Sequence, residues 1–132
     1  MKIVFLDAAT MGDVSFEPFE QLGEFVSYPT STPTEARERV KDADVVMINK
    51  VIVNKELIDA APSLKLICVA ATGVNNIDVD YAASKGIPVR NVAGYSTDSV
   101  AQSTFMHILS LAGGAPYFDN SVKSGNYSRS GM

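Results

Sequence analysis

Cysteine and histidine each occur once in these 132 residues, and tryptophan is missing. A single thiol excludes a disulfide within the chain. Cys68 lies inside the apolar run LKLICVA, where it reads as a small buried hydrophobe and not as an exposed nucleophile. His107 falls mid-helix with Ser103 and Ser110 a turn away on either side. Nothing supplies the third, orienting group of a Ser–His dyad, so it reads as a surface or interface histidine. There is no C-x-x-C, H-E-x-x-H or EF-hand spacing, and Asp7, Asp13, Asp78 and Asp80 form no metal pattern. No metal site and no catalytic residue are therefore assigned. No apolar run approaches membrane-spanning length, and the N-terminus lacks a signal-peptide core. A cytoplasmic protein without a membrane partner is expected. Basic excess is also missing: 11 Lys and Arg are scattered against 15 Asp and Glu, for a net charge of −4. That argues against a nucleic-acid partner. A small anionic substrate stays open, because one local cation can hold it whatever the net charge.

What is present is ordinary globular material, 46% hydrophobic and 20% charged, enough for one core. Strands are expected at Lys2–Asp7, Glu24–Tyr28, Asp44–Asn49, Leu64–Ala70 and Ile87–Val92. They are short, rich in β-branched residues and not alternating, as in a parallel sheet covered on both faces. Helices are expected between them: a weak one at Ser15–Leu22, then Thr34–Asp42, Asn54–Ala61 and Val79–Lys85. Asn54 is a candidate N-cap, Pro62 a stop, and Gly86 a C-terminal glycine. Strand–helix alternation with right-handed crossovers predicts an α/β fold. The expected form is a flavodoxin-like, doubly wound, parallel five-stranded sheet of order 2-1-3-4-5.

A longer helix, Asp98–Ala112, follows, with Ser99 and Gln102 as a capping box. Val100, Thr104, Phe105, Ile108 and Leu109 form one stripe, and Met106 and Leu111 add apolar surface elsewhere. Such a helix packs on two things. Gly113–Gly114 ends it, and a second helix, Pro116–Ser124, closes at Gly125. The tail NYSRSGM is polar and stops on no structural signal, so the chain reads as truncated.

In a parallel sheet the loops Asp7–Gly12, Asn49–Val51, Ala70–Asn76 and Asn91–Asp98 converge on one edge, where ligands sit. At Thr72-Gly73-Val74, Gly73 lets backbone approach a ligand, and successive N–H groups can hold a carboxylate. A helix N-terminus expected near 76–78 would help. A plain βα turn fits the same residues. Lys50, at the same edge, fits a substrate cation or a solvated lysine. No G-x-G-x-x-G follows a strand, so a dinucleotide site is incomplete here.

The stretch ATGVNNIDVDYAASKGIPVRNVAGYSTDSVAQSTFMHIL resembles the D-isomer-specific 2-hydroxyacid dehydrogenases, and INKVIVNKELI is most similar to their glycerate dehydrogenase (hydroxypyruvate reductase) branch. The resemblance spans essentially the whole chain, but less than half of such an enzyme. It implies an NAD-dependent oxidoreductase interconverting D-2-hydroxy and 2-oxo acids, of which residues 1–96 are the substrate-binding part. Residues 97–132 would hold the hinge, around Tyr95–Thr97, and the first helices of the NAD-binding domain. It further implies that Thr72, Gly73 and Val74 hold the substrate carboxylate with Lys50 beside them. Val100 and Thr104 would line the nicotinamide side, and the helices at 98–124 would form a homodimer interface. The family's GxGxxG loop, its catalytic Arg and its His–Glu pair would lie beyond Met132, leaving this piece alone inactive. Gln102-Ser103 replaces a common Glu-His, and Ala93 a frequent Pro. Two rivals share the architecture: an NAD-sensing corepressor of the same fold, and a receiver-like signalling module. The receiver lacks its strand-end acid and lysine, having Asn49 and Arg90-Asn91 there.

Overall fold

The computed structural model describes residues 1–129, so the end of the polar tail, 130–132, lies outside the described residues. Two units are distinct, Met1–Ala93 and a second that begins at Gly94.

The first unit carries five parallel strands, β1 (Lys2–Phe5), β2 (Glu24–Ser27), β3 (Val45–Ile48), β4 (Leu66–Val69) and β5 (Val89–Asn91), in the order β2-β1-β3-β4-β5. This is the expected 2-1-3-4-5 arrangement. Ile3 pairs with Phe25 and Val45, and Met47 with Cys68. The helices are α1 (Glu17–Glu20), α2 (Pro33–Arg39), α3 (Lys55–Asp59) and α4 (Val79–Ser84), with a 3-10 turn at Ala8–Met11. All lie within the expected spans except that α2 gains Pro33 at its start. Thr32 accepts from the Glu35 N–H while Glu35 reaches back to the Thr32 N–H, a capping box that lets Pro33 take the first helical position. Asn54 caps α3 through the Leu57 N–H, as expected.

Alternate residues of each strand point to opposite faces. Val4, Leu6, Val46, Ile48, Ile67 and Val69 pack with residues of α2, α3 and α4. Ile3, Phe5, Val45 and Met47 face the other way, against Phe16, Phe19 and Phe25. Phe5 meets Phe16 edge-on at 5.6 Å, and Phe19 stacks on Phe25 at 5.7 Å. Each fully buried aliphatic or aromatic side chain contributes about 1.5–3 kcal/mol. The surface ion pairs contribute about 0–1 kcal/mol each, so the two cores dominate. Cys68 departs from expectation. It is half-buried, not buried, because it borders an apolar groove of about 370 Å³ with Phe5, Met47 and Val92. Burial still pushes its thiol pKa up, against an opposing pull from Arg90.

The second unit holds α5 (Thr97–Ala112), α6 (Ala115–Lys123) and a further turn, α7 (Asn126–Arg129). No described residue of this unit is buried, and Val100, Phe105, Ile108 and Leu109 are exposed. The Ser99–Gln102 capping box does not form. The chain turns at Gly94 (φ 76°), the Thr97 N–H bonds the Gly94 carbonyl, and α5 starts with Ser96 as N-cap and no side-chain cap. Ser99 is then inside the first turn, where it has no cap position to fill.

Asp44 joins three strand starts. It accepts from Lys65 Nζ at 2.7 Å and from the Lys2 main-chain N–H at 2.8 Å. These two bonds, in that order, hold its carboxyl below the usual range. Its pKa is lower folded than unfolded, so its stabilisation is complete above about pH 4 and disappears as pH falls through the folded value. Urea midpoints measured against pH should drop below about pH 4, and Asp44→Asn should lower the neutral plateau and flatten the acid drop.

Candidate active site

Because all strands are parallel, the chain segments leaving β1, β3 and β4 emerge at one edge. Asp7 follows β1 directly and is 4% exposed. Its carboxylate accepts from the main-chain N–H groups of Asn49 (2.8 Å), Lys50 (2.5 Å) and Val51 (3.0 Å). This is why β3 stops at Ile48: the next N–H groups leave the ladder for Asp7. The loop turns around the carboxylate and carries Lys50 outward.

The turn after β4 is tied down at its start. The Asn91 amide donates to the Thr72 carbonyl at 2.6 Å, and the Thr72 hydroxyl donates to the Val92 carbonyl at 3.1 Å. Val74 is half-buried against the core, and the Ile77 N–H bonds the Val74 carbonyl at 3.0 Å. From Thr72 to Asn76, no main-chain N–H makes a hydrogen bond among the described residues. Gly73 has no left-handed φ, and a Cβ there would meet nothing within 4 Å. Neither backbone conformation nor packing within this chain demands glycine, so the space above it is free for something else.

Lys50 and Gly73 line one cleft of about 260 Å³, with Asn49, Ala71, Asn75 and Asn76. Lys2, Lys41, Lys65, Lys85 and Lys123 pair with carboxylates, and Lys55 lies over the Tyr81 ring. Lys50 alone of the lysines has no such partner among the described residues. An unpaired ammonium beside a row of unused N–H groups suits a small anion.

The helix after this turn starts at Val79, with Asp78 accepting from the Tyr81 N–H at 3.0 Å. Just before it, Val53 and Ile77 form a bridge. Val100 and Thr104 sit one turn apart on α5, exposed, with the Thr104 hydroxyl donating to the Val100 carbonyl at 2.8 Å. Sequence reasoning passed over Asp7 and Asn76. The available signal was an acid closing the apolar run KIVFL beside the neighbouring strand's loop. No three His, Cys, Asp or Glu side chains cluster among the described residues.

A five-stranded parallel α/β unit with a cleft and unused N–H groups at its carboxyl edge has the layout of the doubly wound class, whose ligands sit at that edge. Residues 3–127 match the D-isomer specific 2-hydroxyacid dehydrogenase, catalytic domain family, and the chain belongs to that family. It is 35% identical to a hydroxypyruvate reductase of Blautia hydrogenotrophica, over 96% of this chain and 41% of that protein. It is 34% identical to a glycerate dehydrogenase of Methylorubrum extorquens, over 98% of this chain and 41% of that protein. The chain thus spans about two fifths of these relatives' length. A D-lactate dehydrogenase from Aquifex aeolicus, solved with NAD and lactic acid, matches with a TM-score of 0.76 and 30% identity, over 95% of this chain and 38% of that one.

Asp7 and Lys50 separate stability from surface charge. Asp7→Asn removes the charged acceptor from three N–H groups and should cost about 2–4 kcal/mol in denaturant unfolding. Lys50→Ala, on the exposed rim, should stay within about 0.5 kcal/mol of the parent.

Proposed function

We propose that this chain is the substrate-binding portion of an NAD-dependent oxidoreductase that interconverts D-2-hydroxy acids and 2-oxo acids, with glycerate and hydroxypyruvate as the pair. The observation that carries this reading is the cleft in which unpaired Lys50 adjoins Gly73, Asn75 and Asn76, in a turn whose N–H groups from Thr72 to Asn76 are unused. The substrate carboxylate accepts from the N–H groups of Thr72, Gly73 and Val74, and Lys50 neutralises it as a point charge. Holding that end orients the adjacent C2 carbon, an orientation effect. The names of the hydroxypyruvate reductase and glycerate dehydrogenase relatives support the choice of substrate.

The family implies NAD, and the D-lactate dehydrogenase relative was solved with it. The described residues include no glycine-rich strand-to-helix turn for the cofactor's phosphates. Val100 and Thr104 would supply only one wall beside the nicotinamide. This stretch alone therefore does not fit the cofactor. When bound by the rest of such an enzyme, nicotinamide supplies or accepts the hydride at C2. On this reading residues 1–96 are the substrate part, and residues 97–132 the hinge and first helices of a nucleotide-binding lobe. The exposed apolar residues of α5 and α6 support a homodimer through 98–124. Among the described residues no helix is long and apolar enough to cross a membrane. A cytoplasmic enzyme is part of the same proposal.

In an enzyme that includes the nucleotide-binding lobe, Lys50→Ala should raise KM for hydroxypyruvate about ten-fold or more, since bonds to ionised groups are the stronger ones. Gly73→Ala should raise KM while leaving the unfolding midpoint unchanged, because its Cβ meets no neighbour in the chain. Unaltered KM in both variants would refute the carboxylate reading. The 132-residue piece alone should not oxidise NADH with hydroxypyruvate, as followed at the NADH absorbance band.

A further inference from the structure

We infer that Asn76 is a positioning residue of this site, joining the Lys50 loop to the Gly73 turn so that cation and amide cradle are set as one unit. This rests on the carboxylate reading above and adds the part that makes its two halves act together.

The loop Asn49–Val51 is gripped from two sides. Asp7 takes its three N–H groups, and the Asn76 side-chain amide donates to two of its carbonyls, Val51 at 2.9 Å and Asn49 at 3.3 Å. The peptide units on both sides of Lys50 are thereby fixed. The main chain of Asn76 belongs to the other half of the site. Its carbonyl accepts from the Val53 N–H at 2.8 Å, and the next N–H, of Ile77, closes the turn onto Val74. Displacing Asn76 moves the Lys50 loop relative to the Gly73 turn.

The chemistry singles out asparagine. Both acceptors are carbonyl oxygens, so only an amide nitrogen with two N–H donors serves both, and this also settles which way the amide points. Aspartate has the same shape but, when ionised, no donor, and it sets a charge against two carbonyl oxygens. Glutamine is one methylene too long. Asn76 is half-buried, which keeps water from replacing the contacts freely.

The test uses the enzyme with its nucleotide-binding lobe and hydroxypyruvate as substrate. Asn76→Asp should raise KM about ten-fold at about pH 8, with kcat within about three-fold, since two donor bonds to the loop are lost. The KM ratio of variant to parent should fall again toward about pH 4, in the ordinary aspartate range, as the protonated carboxyl regains one O–H donor. Asn76→Ser, which keeps one donor, should lie between parent and Asn76→Asp, and it serves if the aspartate variant folds poorly. Placed in a Lys50→Ala background, Asn76→Asp should raise KM less than about two-fold, because it acts through the lysine. If Lys50→Ala raises KM but the Asn76 variants do not, the inference is wrong and the carboxylate reading stands. An undiminished Asn76 effect in the Lys50→Ala background also overturns it, since Asn76 then acts on the substrate directly. If Lys50→Ala itself leaves KM unchanged, the inference fails with the lysine's role, and Gly73→Ala decides whether the carboxylate reading stands.

Discussion

The Asp7 carboxylate, buried at the end of β1, organises the carboxyl edge of the sheet. A buried charge is costly unless its acceptor sites are filled. Here three consecutive N–H groups from the β3 loop fill them, and in doing so end the strand and aim Lys50 at the cleft. The same three bonds satisfy backbone donors that would otherwise lack partners at a half-buried edge. Strand termination, loop shape and placement of Lys50, the one lysine unpaired among the described residues, thus follow from one side chain on a neighbouring strand.

The site is divided between rigid support and open chemistry. Below the edge, two apolar layers pack the alternating faces of the strands, and each loop starts from a buried residue such as Leu6, Ile48 or Val69. Above it, the turn at 72–76 keeps its main-chain donors free while its ends are bonded to Asn91, Val92 and Val53. Free donors on a fixed frame lower the ordering cost of binding a small anion. The helices that begin at Thr97 lack such support. They bury no described residue, and isolated helices of their length are marginal in water. Their apolar surface is the kind that partners cover.

Most of the sheet was legible from sequence because its signal is local. Short runs rich in β-branched residues, separated by helical segments, mark strands and crossovers, and right-handed connections leave few orders. Lys50 and Gly73 were legible as candidates because both directly follow predicted strands. What local patterns misjudged were ends and partners. Ser99 and Gln102 have capping-box spacing, but Gly94 turns the chain earlier and α5 starts at Thr97. The pairing of Val53 with Ile77, just before α4, joins residues far apart in the chain and leaves no local mark. Cys68 reads as core from its neighbours, yet it borders a groove because α1 is a single short turn.

By itself the sequence determined the α/β class, the strand order, the family and the candidacy of Lys50 and Gly73, which line one cleft. Each of these depends on periodicity, turn chemistry or a contiguous motif. Only the tertiary structure decided that Asp7 holds the Lys50 loop and that Asn76 links it to the Gly73 turn. Those bonds join residues 42–44 and 25–27 positions apart. A single Asp or Asn carries no mark of a distant partner until the packed sheet brings the ends of its parallel strands together.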